Sequence, residues 1–336
     1  MDLSVVIVSW NTRDLLLECL AALERRQSST GRSPLEQELL VVDNGSEDGS
    51  ATAVREHFPG VRLIELSDNI GFAAGCNAGI REARGRHVLL LNSDAVVCDG
   101  ALERCVAYLD ANPRVGIVGP QLLNPDGSKQ NSIHNFPRVA TEFIPKGAFQ
   151  FLFRRRFPSR RWTDDEPLEV EAIVGAAFFV RRQVIEGVGG LAEDYFFFLE
   201  ETDWCWRARA AGWRVDFLPT AFVKHLSGAS SKKKNPALTR IEYHRSLYHF
   251  YRKHRGSGWM LTVLLLRLSK AFLYVLTQAP LALSGGRHAA RWMMHRDVLI
   301  WHLRGCPSNV GVFQVGDSSA GKPMLEKTAV GPSHAS

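Results

Sequence analysis

Apolar and polar positions alternate along the first 95 residues in two rhythms. Leu3–Ser9 is a continuous run of β type, and Leu16, Cys19, Leu20 and Leu23 then recur at helical spacing. Glu38–Asp43 (ELLVVD) predicts a second strand, followed by an Asn44-Gly45-Ser46 turn and a helix near Asp48–His57. Val61–Leu66 predicts a third strand, Ala73–Arg84 a helix, and His87–Asn92 (HVLLLN) a fourth strand. Strands alternating with helices imply βαβ units and a parallel sheet, whose carboxyl edge is where open α/β sheets bind ligands.

Beyond Val115 the rhythm is less regular. Asn124-Pro125-Asp126-Gly127 predicts a hairpin tip, and residues 138–167 read as a long connecting segment. Val170–Val180 returns to strand character, 203–211 to helix, and Trp213–Leu218 and Ala221–His225 to two short strands. Residues 240–255 mix Arg, His and aromatics at helical spacing, and the Gly-, Ser- and Pro-rich residues 306–336 predict a disordered tail. The resulting division is a catalytic-type α/β unit over 1–230, split near 115, then a basic helical region over 231–305, then the tail.

The 336 residues, 45% apolar and 23% charged, exclude a disulfide-stapled miniprotein and a chain disordered throughout. The net charge of +6 is unevenly spread. Between Lys232 and Arg304 stand 14 Lys/Arg and two acids, Glu242 and Asp297, a surplus of +12 that leaves −6 for the rest. No nucleic-acid motif accompanies that charge. Trp259–Ser284 is very apolar but broken by Arg267 and Lys270, and its longest uncharged run, Ala271–Gly286, has 16 residues, short of the ~20 that span a bilayer. Helices lying on an anionic membrane surface fit best; packing on the catalytic unit or on another subunit is the alternative. The six cysteines have no metal-like spacing, and Met1-Asp2-Leu3-Ser4 is no secretory start, so a cytoplasmic setting is expected.

Candidate chemistry sits at strand ends. Asp43, before Asn44-Gly45-Ser46, can accept the N3–H of a pyrimidine base or cap the next helix. Asn69-Ile70-Gly71 through Asn77 is a small-residue entry to a helix that suits a phosphate. Asn92-Ser93-Asp94 offers a carboxylate for a hard cation, and His225 a second ligand. Glu200, Glu201 and Asp203 directly follow Tyr195-Phe196-Phe197-Phe198-Leu199; a carboxylate in so apolar a setting has its pKa raised toward that of a general base.

SVVIVSWN, VVDNGSEDGS, NIGFAAGCNAG, LLLNSDA, GPQLLNPDGSKQNS, the run from VGAAFFVRR to AAGWRV, and VKHLSG stand in this order over residues 3–230. Together they resemble family 2 glycosyltransferases, in the rhamnosyltransferase-like bacterial branch. The resemblance implies the GT-A fold: a Rossmann-like α/β mixed sheet flanked by helices, here with a C-terminal helical extension. It implies that Asp43 reads the base, that Asn11, Asn69, Gly71, Asn77, Ser93 and Asp94 line the nucleotide-sugar site, and that Asp94 and His225 hold Mg2+ or Mn2+. Glu201 corresponds to the family's catalytic base, with Glu200 and Asp203 as alternatives, and Trp204 to the acceptor site. Two departures stand out: Asn92 replaces the first acid of the metal motif, and the base position is Glu where Asp is common.

The function implied is inverting transfer from a nucleoside-diphosphate sugar (dTDP-rhamnose or a UDP-sugar) to a lipid-linked or polysaccharide acceptor. The enzyme would be peripheral on the inner face of the cell membrane, bound through residues 240–290. A catalytically silent GT-A module that binds glycan or a partner protein is the competing reading, resting on Asn92. A sugar nucleotidyltransferase would need a Gly-rich, basic N-terminal signature that this chain lacks.

Overall fold

A computed structural model describes residues 1–29, 35–140, 165–226 and 236–311. Residues 141–164 of the connecting segment and 312–336 of the tail lie outside these. The first strands are β1 (Leu3–Ser9), β2 (Gln37–Asn44), β3 (Arg62–Leu66) and β4 (His87–Asn92). Helices α1 (Arg13–Ser29), α2 (Ser50–His57) and α3 (Phe72–Glu82) alternate with them. All seven residues of β1 are buried, as expected for a strand covered on both faces, and it pairs in parallel with β2 and β4. The shared direction brings Ser9 opposite Asp43 and Val8 opposite Asn92, so three polar strand ends meet at one sheet edge.

The chain continues through β5 (Ala95–Val97), α4 (Ala101–Ala111), β6 (Val115–Leu123), β7 (Ile133–His134), β8 (Leu168–Glu169), β9 (Ala172–Ile173) and β10 (Ala177–Arg181). It then forms α5 (Arg182–Val188), α6 (Glu200–Ala210) and β11 (Arg214–His225). The nine-stranded sheet runs β3-β2-β1-β4-β10-β6-β11-β5, with β8 also on β11. It is mixed: β10 enters antiparallel between β4 and β6, while β11 runs parallel to β6. One apolar cluster, including Leu16, Leu20 and Leu109, covers one face; the other, including Ile80, Phe178 and Trp204, covers the opposite face.

Three elements differ from the sequence reading. The two short strands near the end are one strand, β11, in which a register shift between Leu218 and Phe222 absorbs Pro219. Val170–Val180 breaks into β9 and β10. Helix α6 starts at Glu200, so all three acids occupy its first turn. The Asn124–Gly127 tip forms as predicted: the Gly127 amide donates to the Asn124 carbonyl at 2.9 Å.

Helices α7 (Pro236–His254), α8 (Ser257–Ala282) and α9 (Gly286–Leu303) follow, with their own small core of Ile241, Tyr251, Val263 and Trp301. Phe250 of α7 belongs instead to the core of the sheet and meets Trp206 of α6 edge-on at 5.7 Å, which docks the helical region against the helix that carries the acids.

Candidate active site

The end of β2 builds the first wall. Asp43 is buried, and its Oδ1 has no hydrogen-bond partner; Oδ2 accepts weakly from the Ser46 amide at 3.4 Å. A buried carboxylate oxygen without a donor is costly, so this atom suits the N–H of a ligand. The chain leaves Asp43 through Gly45 at φ +74°, where an added Cβ would lie 2.6 Å from the Asp68 carbonyl carbon. Only glycine permits that approach. Asn11 clamps the same turn: its Oδ1 accepts from the Glu47 amide at 2.9 Å, and its own amide donates to Ser46 Oγ at 3.0 Å.

Asn44, not singled out from the sequence, ties this turn to the loop before α3. Its Nδ2 donates to Asn69 Oδ1 and the Gly71 carbonyl, and its Oδ1 accepts from the Ile70 amide. Asn69 in turn accepts from the Gly71 amide, so its side chain shapes the loop from within. Asn77 is likewise engaged, accepting from the Leu191 amide and donating to the Leu191 carbonyl and to Glu193. It thereby holds α3 to the segment that leads to α6.

The second wall brings together residues far apart in sequence. Strand β5 pairs antiparallel with the end of β11, placing Ala95 opposite His225, and the Leu226 amide donates to the Asp94 carbonyl. His225 Nε2 lies 3.3 Å from Asp94 Oδ1, and both side chains are about nine-tenths buried. Gln130 sets the tautomer. Its Nε2 donates to Asn124 Oδ1 and the His225 carbonyl, which leaves Oε1 to receive Nδ1–H of His225 at 2.8 Å. In the neutral ring Nε2 is then the acceptor atom, turned toward Asp94 Oδ1, an arrangement a cation resolves. The donor set fits a divalent metal, with imidazole and carboxylate from the protein and the remaining positions open to water and phosphate oxygens. Asn92, where the first acid is missing, approaches His225 Nε2 at 3.4 Å, and the Asp94–His225 pair forms without that acid. Ser93 meets Thr12 at 2.8 Å in a hydroxyl chain that reaches Ser9.

The third wall is the start of α6. Phe198 and Leu199 both adopt φ near +68°, a left-handed conformation that costs non-glycine residues and occurs where surrounding structure enforces it. It delivers Glu200 and Glu201 in succession. Burial raises the Glu201 carboxyl to about 7, against the pull of its own and the Thr202 backbone amides. Burial, together with the Glu201 charge, pushes Glu200 well above the ordinary carboxylate range. Each has an Oε2 without a partner. Glu200 also adds to the upward shift of the Cys76 thiol, which burial dominates, marking its closeness to α3.

Asp203 differs. Burial pushes it up, but hydrogen bonds from His254 and Arg207 and the charges of Arg207 and Lys253 outweigh that and hold it at about 2. His254 Nε2 and Arg207 Nε lie 2.7 Å away and Lys253 Nζ 3.1 Å, so both oxygens are engaged. A carboxylate so stabilised is a poor proton acceptor. Trp204, expected at the acceptor site, is instead fully buried, stacked on Phe178 and donating to the Gly189 carbonyl at 2.8 Å. Both side chains are fully buried. Asn44, Gln130 and the α7 pair Lys253–His254 are the contributors the sequence reading missed. Gln130 stands inside the quoted GPQLLNPDGSKQNS motif, and Asn44 directly follows Asp43.

Residues 4–189 match the family described as Glycosyl transferase family 2. The chain is 30% identical over 240 residues to an N-acetylglucosaminyl-diphospho-decaprenol L-rhamnosyltransferase of Mycobacterium tuberculosis, covering 66% of this chain and 76% of that one. Its fold is similar to that of a Pyrobaculum calidifontis mannosyltransferase solved with GDP-Man and Mn2+, with TM-score 0.54 and 20% identity over 90% of this chain and 86% of that one. It is also similar to GalNAc-T7 solved with UDP, GalNAc and Mn2+, with TM-score 0.52 and 17% identity over 75% of this chain and 50% of that one. With its mixed sheet and helical flanks, the chain belongs to glycosyl transferase family 2 and is a glycosyltransferase of the GT-A fold.

Proposed function

We propose that this enzyme transfers a sugar, with inversion, from a nucleoside-diphosphate donor to a hydroxyl of a lipid-linked glycan acceptor, with Glu201 as general base. The observation that carries the reading is Glu201 itself: a carboxyl held at about 7, with a free buried oxygen, packed beside Gly175, whose neighbour Ala176 accepts from the Asn92 amide at the end of β4. At neutral pH such a group both ionises and accepts a proton readily.

Glu201 takes the acceptor hydroxyl proton as the oxygen attacks the anomeric carbon from the face opposite the leaving diphosphate. Glu200, kept protonated by burial and by its neighbour's charge, leaves Glu201 as the ionisable member of the pair. Asp43 Oδ1 accepts the base N–H, and Asn11 and Asn44 hold the two loops that flank it. Asp94 and His225 would hold Mg2+ or Mn2+, which when bound supplies charge neutralisation for the departing diphosphate. The resemblance of the motifs and the Mycobacterium relative favour dTDP-rhamnose as donor, with UDP-sugars as the alternative.

The helical region serves as the attachment to the cytoplasmic face of the membrane. Helix α8 buries only Val263 and Ala271, and it leaves Trp259, Leu261, Leu265, Phe272, Leu273, Leu276 and Leu281 exposed. By length and composition α8 is also apolar enough to cross a bilayer, but Arg267 and Lys270 within it favour the surface.

Thermal shift with dTDP-rhamnose, UDP-glucose, UDP-N-acetylglucosamine and GDP-mannose, each with and without Mn2+, tests the donor. One nucleotide sugar should stabilise the chain in a metal-dependent manner. No stabilisation by any of the four would count against the proposal.

A further inference from the structure

A cavity of about 640 Å³ lies between the segment leading to α6 and the three C-terminal helices. Its walls differ in character. One face of α7, with Arg245, His249 and Arg252, lines one side, while Met260 and Leu264 of α8 and Trp301 of α9 line the other. A pocket of this size, polar on one wall and apolar on the opposite one, suits an amphiphile.

Its charges are not balanced internally. Arg245 is answered by Glu242 at 2.5 Å, and His249 Nε2 by Asp194 at 2.8 Å. Arg252 donates to His249 Nδ1 at 3.3 Å and has no carboxylate partner among the described residues. The chain Arg252–His249–Asp194 thus orients a guanidinium whose charge is unmatched at the cavity, and guanidinium groups prefer phosphate oxygens.

Two neighbours of the cavity matter. Phe196, one of its lining residues, packs its ring 3.1 Å from where a Cβ on Gly71 would stand, and its carbonyl accepts from the Phe72 amide. The cavity thus shares a wall with the loop before α3. On the other side, Leu261 and Leu265 each adjoin a cavity-lining residue of α8 and are half exposed, at 53% and 50%. Leu261 and Leu265 thus stand beside the lining residues in sequence but turned away from them, on the exposed side of α8.

We propose that this cavity receives the phosphate-bearing end of a polyprenyl-type lipid, the carrier of the acceptor, with Arg252 on the phosphate and the first isoprene units against Met260, Leu264 and Trp301. The proposal rests on the lipid-linked acceptor reading above and adds the place where the lipid enters.

Isothermal titration of the full chain with geranylgeranyl diphosphate tests it, with geranylgeraniol, inorganic diphosphate and phosphatidylglycerol vesicles as separate arms. The diphosphate lipid should bind more tightly than either of its halves. Arg252→Ala and Leu264→Trp should each weaken it about tenfold or more, while dTDP and UDP titrations stay at wild-type values. Arg252→Ala changes an exposed side chain and so keeps the test interpretable if Leu264→Trp disturbs packing. Wild-type lipid affinity in Arg252→Ala overturns the proposal. So does binding to phosphatidylglycerol vesicles that geranylgeranyl diphosphate does not compete, which would assign the site to bilayer headgroups. A chain that binds neither nucleotide would instead count against the donor reading, and the lipid titrations would still report on the cavity.

Discussion

The sheet unit and the C-terminal helices solve the problem of apolar surface in opposite ways. Strand β1 buries every residue between two layers of helices, and the sheet unit closes its own core on both faces. Helix α8 is more apolar than most of the chain yet buries two side chains, with Phe272, Leu273 and Leu276 each more than half exposed. Burial of apolar surface drives folding at roughly 25 cal/mol per Å². Helix α8 forgoes that gain while carrying a basic flank, which supports the membrane attachment proposed above. The contrast teaches that the +6 of the whole chain describes neither part. Where the two parts meet, α7 contributes Lys253 and His254 to Asp203, two residues from the proposed base.

The largest effect should come from the sheet unit. Glu201→Gln should lower kcat by about 10²- to 10⁴-fold with nucleotide binding retained. The same change should not lower stability. The folded Glu201 carboxyl keeps its proton to about 7 whereas the free side chain releases it near 4.5, so the native state loses relative stability as pH climbs through that window. The glutamine variant lacks this loss and should unfold at a higher temperature than wild type at pH 8. A lower melting point there would contradict the assignment of Glu201 as a desolvated acid. In wild type, activity should rise with pH through about 7 as the base ionises.

Breaking the junction should cost nearly as much in a different currency. Asp203→Ala leaves Arg207 and Lys253 without their counter-ion, and His254 without its acceptor, around a fully buried position and should destabilise the chain by about 3 kcal/mol in urea unfolding. The folded pKa is depressed to about 2 from 3.8, so the carboxylate's contribution is complete above 3.8 and is lost as pH falls through about 2. The deficit of the variant should therefore shrink in acid. A deficit that stays constant to pH 2 would show that the cage is not electrostatic.

Gln130→Ala tests whether the His225 tautomer matters. It should reduce Mn2+-dependent nucleotide binding about 10- to 100-fold while metal-free binding stays unchanged. Smallest in stability, and most telling for the helices, is the paired change Phe272→Ser and Leu276→Ser. Both side chains are exposed, so unfolding should shift by no more than about 0.5 kcal/mol per site. Flotation with phosphatidylglycerol vesicles should fall markedly. Undiminished flotation would remove α8 from the membrane contact.

Much of the fold was legible because its signals are local. Strands β1, β2 and β4 read as largely apolar runs, β3 as a shorter one broken by Arg62 and Glu65, and the Asn124–Gly127 tip as turn residues in succession. The placement of β10 between β4 and β6 was not, since an antiparallel insertion leaves the same apolar pattern as a parallel one. Trp204 shows the same limit at the site. The family resemblance assigns it to the acceptor site, but whether it points outward depends on the helix start at Glu200 and on Phe178 behind it.

The sequence by itself determined the elements, the polar residues at strand ends and the charge surplus near the C-terminus, all set by neighbours within a turn or a strand. Only the tertiary structure decided which of those residues share a site. Asp94 and His225 meet because β5 folds back on β11, and Gln130 chooses the imidazole tautomer. Of three acids in one helical turn, burial holds Glu201 near 7 while cations from α6 and α7 hold Asp203 near 2. Desolvation and charge act through space, and a linear pattern does not record which distant groups will surround a given carboxylate.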